Sequence, residues 1–152
     1  DPGKIVDQDG NQLGEHDGHV GFTIGQRKGL HIGRPAKDGK PRYVLEIRPK
    51  TNEVVVGPEA ALQIAQIAGG RFSWCGKAPE SPEVPFDCQV QVRAHGEALA
   101  ARAQVVDGEL VVDLMEPLYG VAPGQTAVVY LGTRVLGQTT IDRTKSAVVE
   151  SV

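Results

Sequence analysis

Between Gly14 and Leu30 the chain reads Gly-Glu-His-Asp-Gly-His-Val-Gly-Phe-Thr-Ile-Gly-Gln-Arg-Lys-Gly-Leu, and this run holds most of the residues able to do chemistry. Gln26, Arg27 and Lys28 bring together an amide and two cations, the groups that meet phosphate oxygens and base edges. Glycines at 14, 18, 21, 25 and 29 let the backbone take positive φ or approach a ligand closely. The run therefore predicts an exposed binding surface. His16 and His19, with Glu15 and Asp17, are also metal-binding residue types. Their i, i+3 spacing converges only on a helix, which Gly18 opposes, so the preferred reading of His16 is a hydrogen-bonded residue that organises the loop.

Cys75 and Cys88 lie thirteen residues apart and form no Cys-x-x-Cys pair, so no zinc site is expected. A disulfide is open to them, but in a cytosolic protein two reduced thiols are expected. No Ser-His-Asp order, paired carboxylates or phosphate-cradling glycine loop appears, and no catalytic residue is assigned.

Elements that could position these groups are short and β-rich. Of 152 residues, 19 are glycine and 10 proline, 40% are hydrophobic and 23% charged, which suits many short strands joined by turns in a soluble protein. Lys4 to Asp7 and Gln12 to Glu15 read as strands about the turn Asp9-Gly10-Asn11. Arg42 to Arg48 and Glu53 to Gly57 read as a hairpin, and Pro58 to Leu62 as one helical turn with proline at its start. Gln63 to Ala68 and Arg71 to Trp74 follow as β-segments, then a proline-rich linker or surface connection from Gly76 to Pro85. Cys88 to Arg93 alternates strictly. Ala98 to Val106, Leu110 to Leu114, Thr126 to Leu131 and Arg134 to Ile141 continue at the spacing of a small antiparallel barrel, with Asp107-Gly108 as a hairpin turn. The expected organisation is a central β-rich domain over 1–62, a barrel over 63–144 and a tail over 145–152. No run of the sequence is long and apolar enough to span a bilayer.

Charge is unevenly placed. The formal net charge is −3, yet residues 27–50 hold eight cations (Arg27, Lys28, Arg34, Lys37, Lys40, Arg42, Arg48, Lys50) against Asp38 and Glu46, a net of +6. The rest of the chain carries −9. That asymmetry is the footprint of a protein meeting a polyanion with one face. Solvated loop charges are the alternative.

The string Gly-Glu-His-x-Gly followed by Thr-Ile-Gly-Gln-Arg-Lys-Gly-Leu resembles the central-domain signature of the bacterial tRNA-specific 2-thiouridylases, which replace the C2 oxygen of the anticodon wobble uridine with sulfur. Further anchors run in the family's order: Tyr43-Val44, Asn52 to Gly57, Phe72-Ser73-Trp74, Cys88-x-Val90-x-Val92-Arg93, Glu116-Pro117, Pro123-Gly124-Gln125-x-Ala127-Val128 and Leu136-Gly137. The resemblance implies a mainly β chain whose second part is a six-stranded antiparallel barrel like domain 2 of translation factors. It implies tRNA contact at Arg93 and Gln125, which join Gln26, Arg27 and Lys28, candidates for tRNA contact on their own chemistry. The family's Arg-Tyr pair falls on Arg93 and Ala94, so its tyrosine is missing, with His95 beside it. The family's Leu-Gly-Gly-Gly segment becomes Leu136-Gly137-Gln138-Thr139. The Ser-Gly-Gly-x-Asp-Ser pyrophosphate loop and the two sulfur-handling cysteines of the family have no counterpart here, so the chain reads as the C-terminal part of a longer cytoplasmic enzyme. In that enzyme an upstream nucleotide-binding domain would use ATP with magnesium, and a sulfur-donor protein would supply persulfide sulfur. The chain alone is expected to be catalytically silent. A structural module packing on the catalytic domain with little RNA contact, or a protein binding another anionic ligand through 27–50, are the competing readings.

Overall fold

A computed structural model describes residues 2–18, 21–27, 30, 32, 41–92 and 96–147. The chain divides into two compact units, one ending at Gln63 and the other running from Ile64 to Ala147. A 3-10 turn, Glu59–Leu62, is led in by Pro58.

In the first unit, β1 (Gly3–Val6) and β2 (Gln12–His16) form a hairpin, as do β3 (Tyr43–Arg48) and β4 (Glu53–Gly57). The sheet order is β2-β1-β4-β3, with β1 and β4 parallel. Asp7 sets the first turn: its Oδ1 accepts the amides of Asp9 and Asn11 at 3.0 and 2.8 Å. β4 is buried along Val54-Val55-Val56, which calls for cover on both sides of the sheet. Ile5, Leu13, Val44, Val54 and Val56 cluster with Leu30, and Phe22, Ile24 and Ile32 pack against them. The glycine-rich run is thus more than the surface loop its composition suggests. Its apolar residues cover the sheet, and fully burying such a side chain stabilises by about 1.5–3 kcal/mol. Most of the glycine-rich, basic stretch from Gly29 to Pro41 lies outside the described residues.

The second unit is a curled sheet ordered β12-β5-β9-β8-β7-β10-β11-β6. Its six longer strands are β5 (Gln63–Gly69), β7 (Phe86–Val92), β8 (Leu99–Val106), β9 (Glu109–Tyr119), β10 (Thr126–Leu131) and β11 (Arg134–Thr140). Two short ones, β6 (Phe72–Trp74) and β12 (Arg143–Ser146), stand at the edges. Each of these short edge strands pairs antiparallel with its neighbour, as do the successive pairs from β9 to β11. Period-2 alternation sends Cys88, Val90 and Val92 inward to join Ile67, Leu110, Val112, Ala127, Val129, Leu136 and Ile141 in one core. Asp107 and Gly108, at φ 50° and 79°, make the tight turn between β8 and β9.

Two sequence expectations change, and a third, left between two alternatives, resolves to one of them. Lys145 and Ser146, assigned to a tail, pair with Gln66 and Ile64 of β5, because β12 supplies that strand with an antiparallel neighbour. β9 continues five residues past Leu114, where its register with β8 ends. The Gly76 to Pro85 stretch is a surface connection within the second unit, tied down where the Val105 amide donates to the Pro82 carbonyl at 2.7 Å.

Candidate nucleic-acid interface

The motif residues are placed by a turn that occurs twice. In Thr23-Ile24-Gly25-Gln26 the Gln26 amide donates to the Thr23 carbonyl at 2.9 Å, and the Gln26 Oε1 accepts the Thr23 amide at 3.0 Å. Gly25 stands at φ 88°, where other residues are strained. The turn is then pinned to β3, since the Gly25 amide donates to the Val44 carbonyl and the Val44 amide donates to the Gln26 carbonyl, both at 2.8 Å.

Ala122-Pro123-Gly124-Gln125 repeats every one of these bonds in the second unit. Gln125 Oε1 accepts the Ala122 amide at 3.0 Å, and the Gln125 amide donates to the Ala122 carbonyl at 3.4 Å. Gly124 has φ 95°. Its amide donates to the Ile141 carbonyl at 2.8 Å, and the Ile141 amide donates to Gln125 at 2.9 Å. Both glutamines singled out from the sequence therefore commit their side-chain oxygens to turns.

Arg27 follows directly after the first pinned turn and is exposed. Among the described residues no carboxylate lies within ion-pair distance of it. Arg48, counted among the cations of the basic segment, is otherwise occupied: its Nε donates to Glu46 at 2.8 Å and one terminal nitrogen lies 3.5 Å from Glu53. The hydrogen bond it donates to Glu46 raises its pKa. Sequence counting overstates the charge this segment can offer, because Glu53 comes from the facing strand at the register position of Arg48. Lys50 is exposed in the turn of that hairpin. Lys28 and Arg93 lie outside the described residues, as do Arg34, Lys37 and Lys40.

Val92 pairs with Ala127, two residues beyond Gln125, so the end of β7 and the Gln125 turn share one end of the sheet. On the outward face Tyr130 Oη donates to Gln91 Oε1 at 2.9 Å, and Gln91 Nε2 donates to the Gly96 carbonyl at 2.8 Å. Sequence reasoning missed this relay. Gln91 carries a visible signal, an outward position in an alternating strand, whereas Tyr130 becomes its partner only through the β7–β10 register.

His16 has the organising role expected of it, buried with Nε2 2.9 Å from the Asn52 carbonyl. His19 lies outside the described residues. Cys75 is exposed and Cys88 buried, both free. Burial, and secondarily Asp87, pushes the Cys88 thiol up to about 11. No cluster of three metal-binding side chains occurs among the described residues, and none of their helices is long and apolar enough to cross a membrane.

Two family models match the chain: the tRNA methyl transferase PRC-barrel domain over residues 1–58 and the aminomethyltransferase beta-barrel domain over residues 64–141. Among curated relatives, a tRNA-specific 2-thiouridylase MnmA from Clavibacter michiganensis is 62% identical over 97% of the chain and 39% of its own length. Proteins of the same description from Leifsonia xyli and Renibacterium salmoninarum are 61% and 56% identical, over 96% and 99% of the chain and 40% and 42% of their own lengths. The chain thus spans about two fifths of the length of the curated relatives it matches.

Proposed function

Because the chain belongs to the tRNA-specific 2-thiouridylase family through both of its domains, we propose that it is the portion of such an enzyme that holds and orients tRNA. Arg27, Lys28 and Arg93 would meet phosphates, with the Gln26 and Gln125 turns at the same contact regions. The observation that carries this reading is Arg27, exposed and unmatched by any described carboxylate, directly after a turn fastened to the sheet. A loop held by paired backbone bonds presents its cation at low entropic cost, and phosphate contacts supply most of the sequence-independent affinity for a nucleic acid.

Conversion of the wobble uridine to 2-thiouridine belongs, in this proposal, to the longer protein acting in the cytoplasm. ATP, with magnesium, would be used by a nucleotide-binding domain, and Ser-Gly-Gly-x-Asp-Ser occurs nowhere in this sequence. A sulfur-donor protein would supply persulfide sulfur to a cysteine other than Cys75 and Cys88. Buried and protonated at neutral pH, Cys88 is unsuited to that task.

A structural module with little RNA contact is the second reading, favoured by the neutralised Arg48 and by the two turn-committed glutamines. Titrating tRNA against the chain at two ionic strengths separates them. Weak, salt-sensitive binding, with log K falling by roughly 0.7 to 0.9 per phosphate contact for each decade of salt, supports the tRNA-holding role. No binding at low salt, or binding indifferent to salt, overturns it.

A further inference from the structure

We infer that Gln26 serves tRNA binding as a positioning residue: its side chain closes the turn that sets Arg27 on the surface, and it makes no contact with RNA itself. The inference rests on the tRNA-holding reading and assigns the labour within it. Besides the Gln26 amide to Thr23 carbonyl bond, three bonds hold the turn from different sides. Gln26 Oε1 takes the Thr23 amide at 3.0 Å, the Gln26 carbonyl takes the Val44 amide at 2.8 Å, and the Gly25 amide reaches the Val44 carbonyl at 2.8 Å. Once these are made, the backbone at Arg27 has a fixed departure point from β3, and its side chain lies in solvent.

The second unit supplies an independent observation. The same bonds form at Ala122-Pro123-Gly124-Gln125, where the only residues in common with the first turn are Gly-Gln and where the next residue is Thr126, the start of β10, rather than a cation. An amide oxygen that takes the same backbone N–H in two unrelated settings is there for the turn. What differs is the residue each turn delivers, and in the first unit that residue is Arg27.

Gly25 allows the turn to be loosened without touching any candidate contact atom. Its φ of 88° disfavours a side chain, yet a Cβ there would meet nothing within 4 Å, so Gly25→Ala acts on backbone conformation alone. The test measures tRNA affinity across a salt series for the chain and for Gly25→Ala, Gln26→Leu and Arg27→Ala, singly and with each of the first two combined with Arg27→Ala. Arg27→Ala is expected to lower the salt slope by about 0.7 to 0.9, one phosphate contact. Gly25→Ala and Gln26→Leu should lower it in the same direction and add nothing in the Arg27→Ala background, the non-additivity of residues acting through one another. If Gln26→Leu costs as much affinity without Arg27 as with it, Gln26 touches RNA and the inference is overturned. It is equally overturned if Gly25→Ala folds and binds with an unchanged slope. Should Gly25→Ala fail to fold by circular dichroism, the Gln26→Leu comparison decides alone. If Arg27→Ala leaves affinity and slope intact, the tRNA-holding role of this loop falls, and the positioning role with it.

Discussion

His16 Nε2 and the carbonyl oxygen of Asn52 lie 2.9 Å apart, although the two residues are thirty-six positions apart in the chain. A carbonyl can only accept, so Nε2 carries the proton. The ring also meets Phe22 edge-on, with centroids 5.3 Å apart and planes at 71°. Asn52 has φ 57° and donates its side-chain amide to the Pro2 carbonyl at 2.7 Å. One histidine of the glycine-rich motif thus joins β2, the β3–β4 turn and the motif's own Phe22.

His16→Leu should therefore destabilise the first unit. It removes the hydrogen bond to the Asn52 carbonyl, a net loss of about 0.5–1.5 kcal/mol for a typical intramolecular bond. Urea denaturation followed by circular dichroism measures it, and an unchanged midpoint would show that the bond contributes nothing net.

Arg48 and Arg27 should behave differently although both fall in the basic segment. Arg27→Ala should reduce the salt slope of tRNA binding and leave the melting temperature nearly unmoved, since it makes no described ion pair. Arg48→Ala should leave the slope nearly intact, because Glu46 and Glu53 already neutralise the side chain. Its effect on stability should stay within about 1 kcal/mol, the scale of exposed pairs. Equal losses of slope would refute this division.

Asp142 makes stability depend on pH. The Gly70 amide donates to it at 2.7 Å and Arg71 at 3.0 Å, and these bonds hold its carboxyl below the ordinary value of 3.8. A depressed carboxylate adds stability that is fully present above its unfolded pKa and is lost as pH falls through the folded one. The difference in urea midpoint between the native chain and Asp142→Asn should be largest near neutrality and should disappear as pH drops below about 4. A difference that stays constant down to pH 2 would contradict the assignment.

The two thiols should separate cleanly. At pH 8 Cys75, exposed, should react with a thiol reagent in the folded chain, whereas Cys88, buried with its thiol pushed up to about 11, should react only after denaturation. Colorimetric titration should count one thiol in buffer and two in urea, and two fast thiols in buffer would place Cys88 at the surface.

Much of this architecture is written locally. Cys88 to Val92 announces a strand with one buried face, Asp107-Gly108 announces a tight turn, and Asn52 to Gly57 closes a hairpin, because pleat alternation and turn conformations depend on residues next to one another. Family membership was legible for the same reason, in a contiguous run from Gly14 to Leu30. Phe22 and Ile24 were harder: among so many glycines their spacing looks like loop, and only the cover that β4 requires explains their burial.

By itself, then, the sequence determined most of the strands and turns, the family and the candidates for contact with a polyanion. Tertiary structure decided which of those residues have their groups available. Arg48 gains a second carboxylate, Glu53, from the facing strand, and the turns that hold Gln26 and Gln125 are anchored through their backbone by Val44 and Ile141, partners eighteen and sixteen residues away. Such pairings follow from strand register, and register is chosen by how the apolar faces bury across the whole unit, which no local stretch of residues encodes.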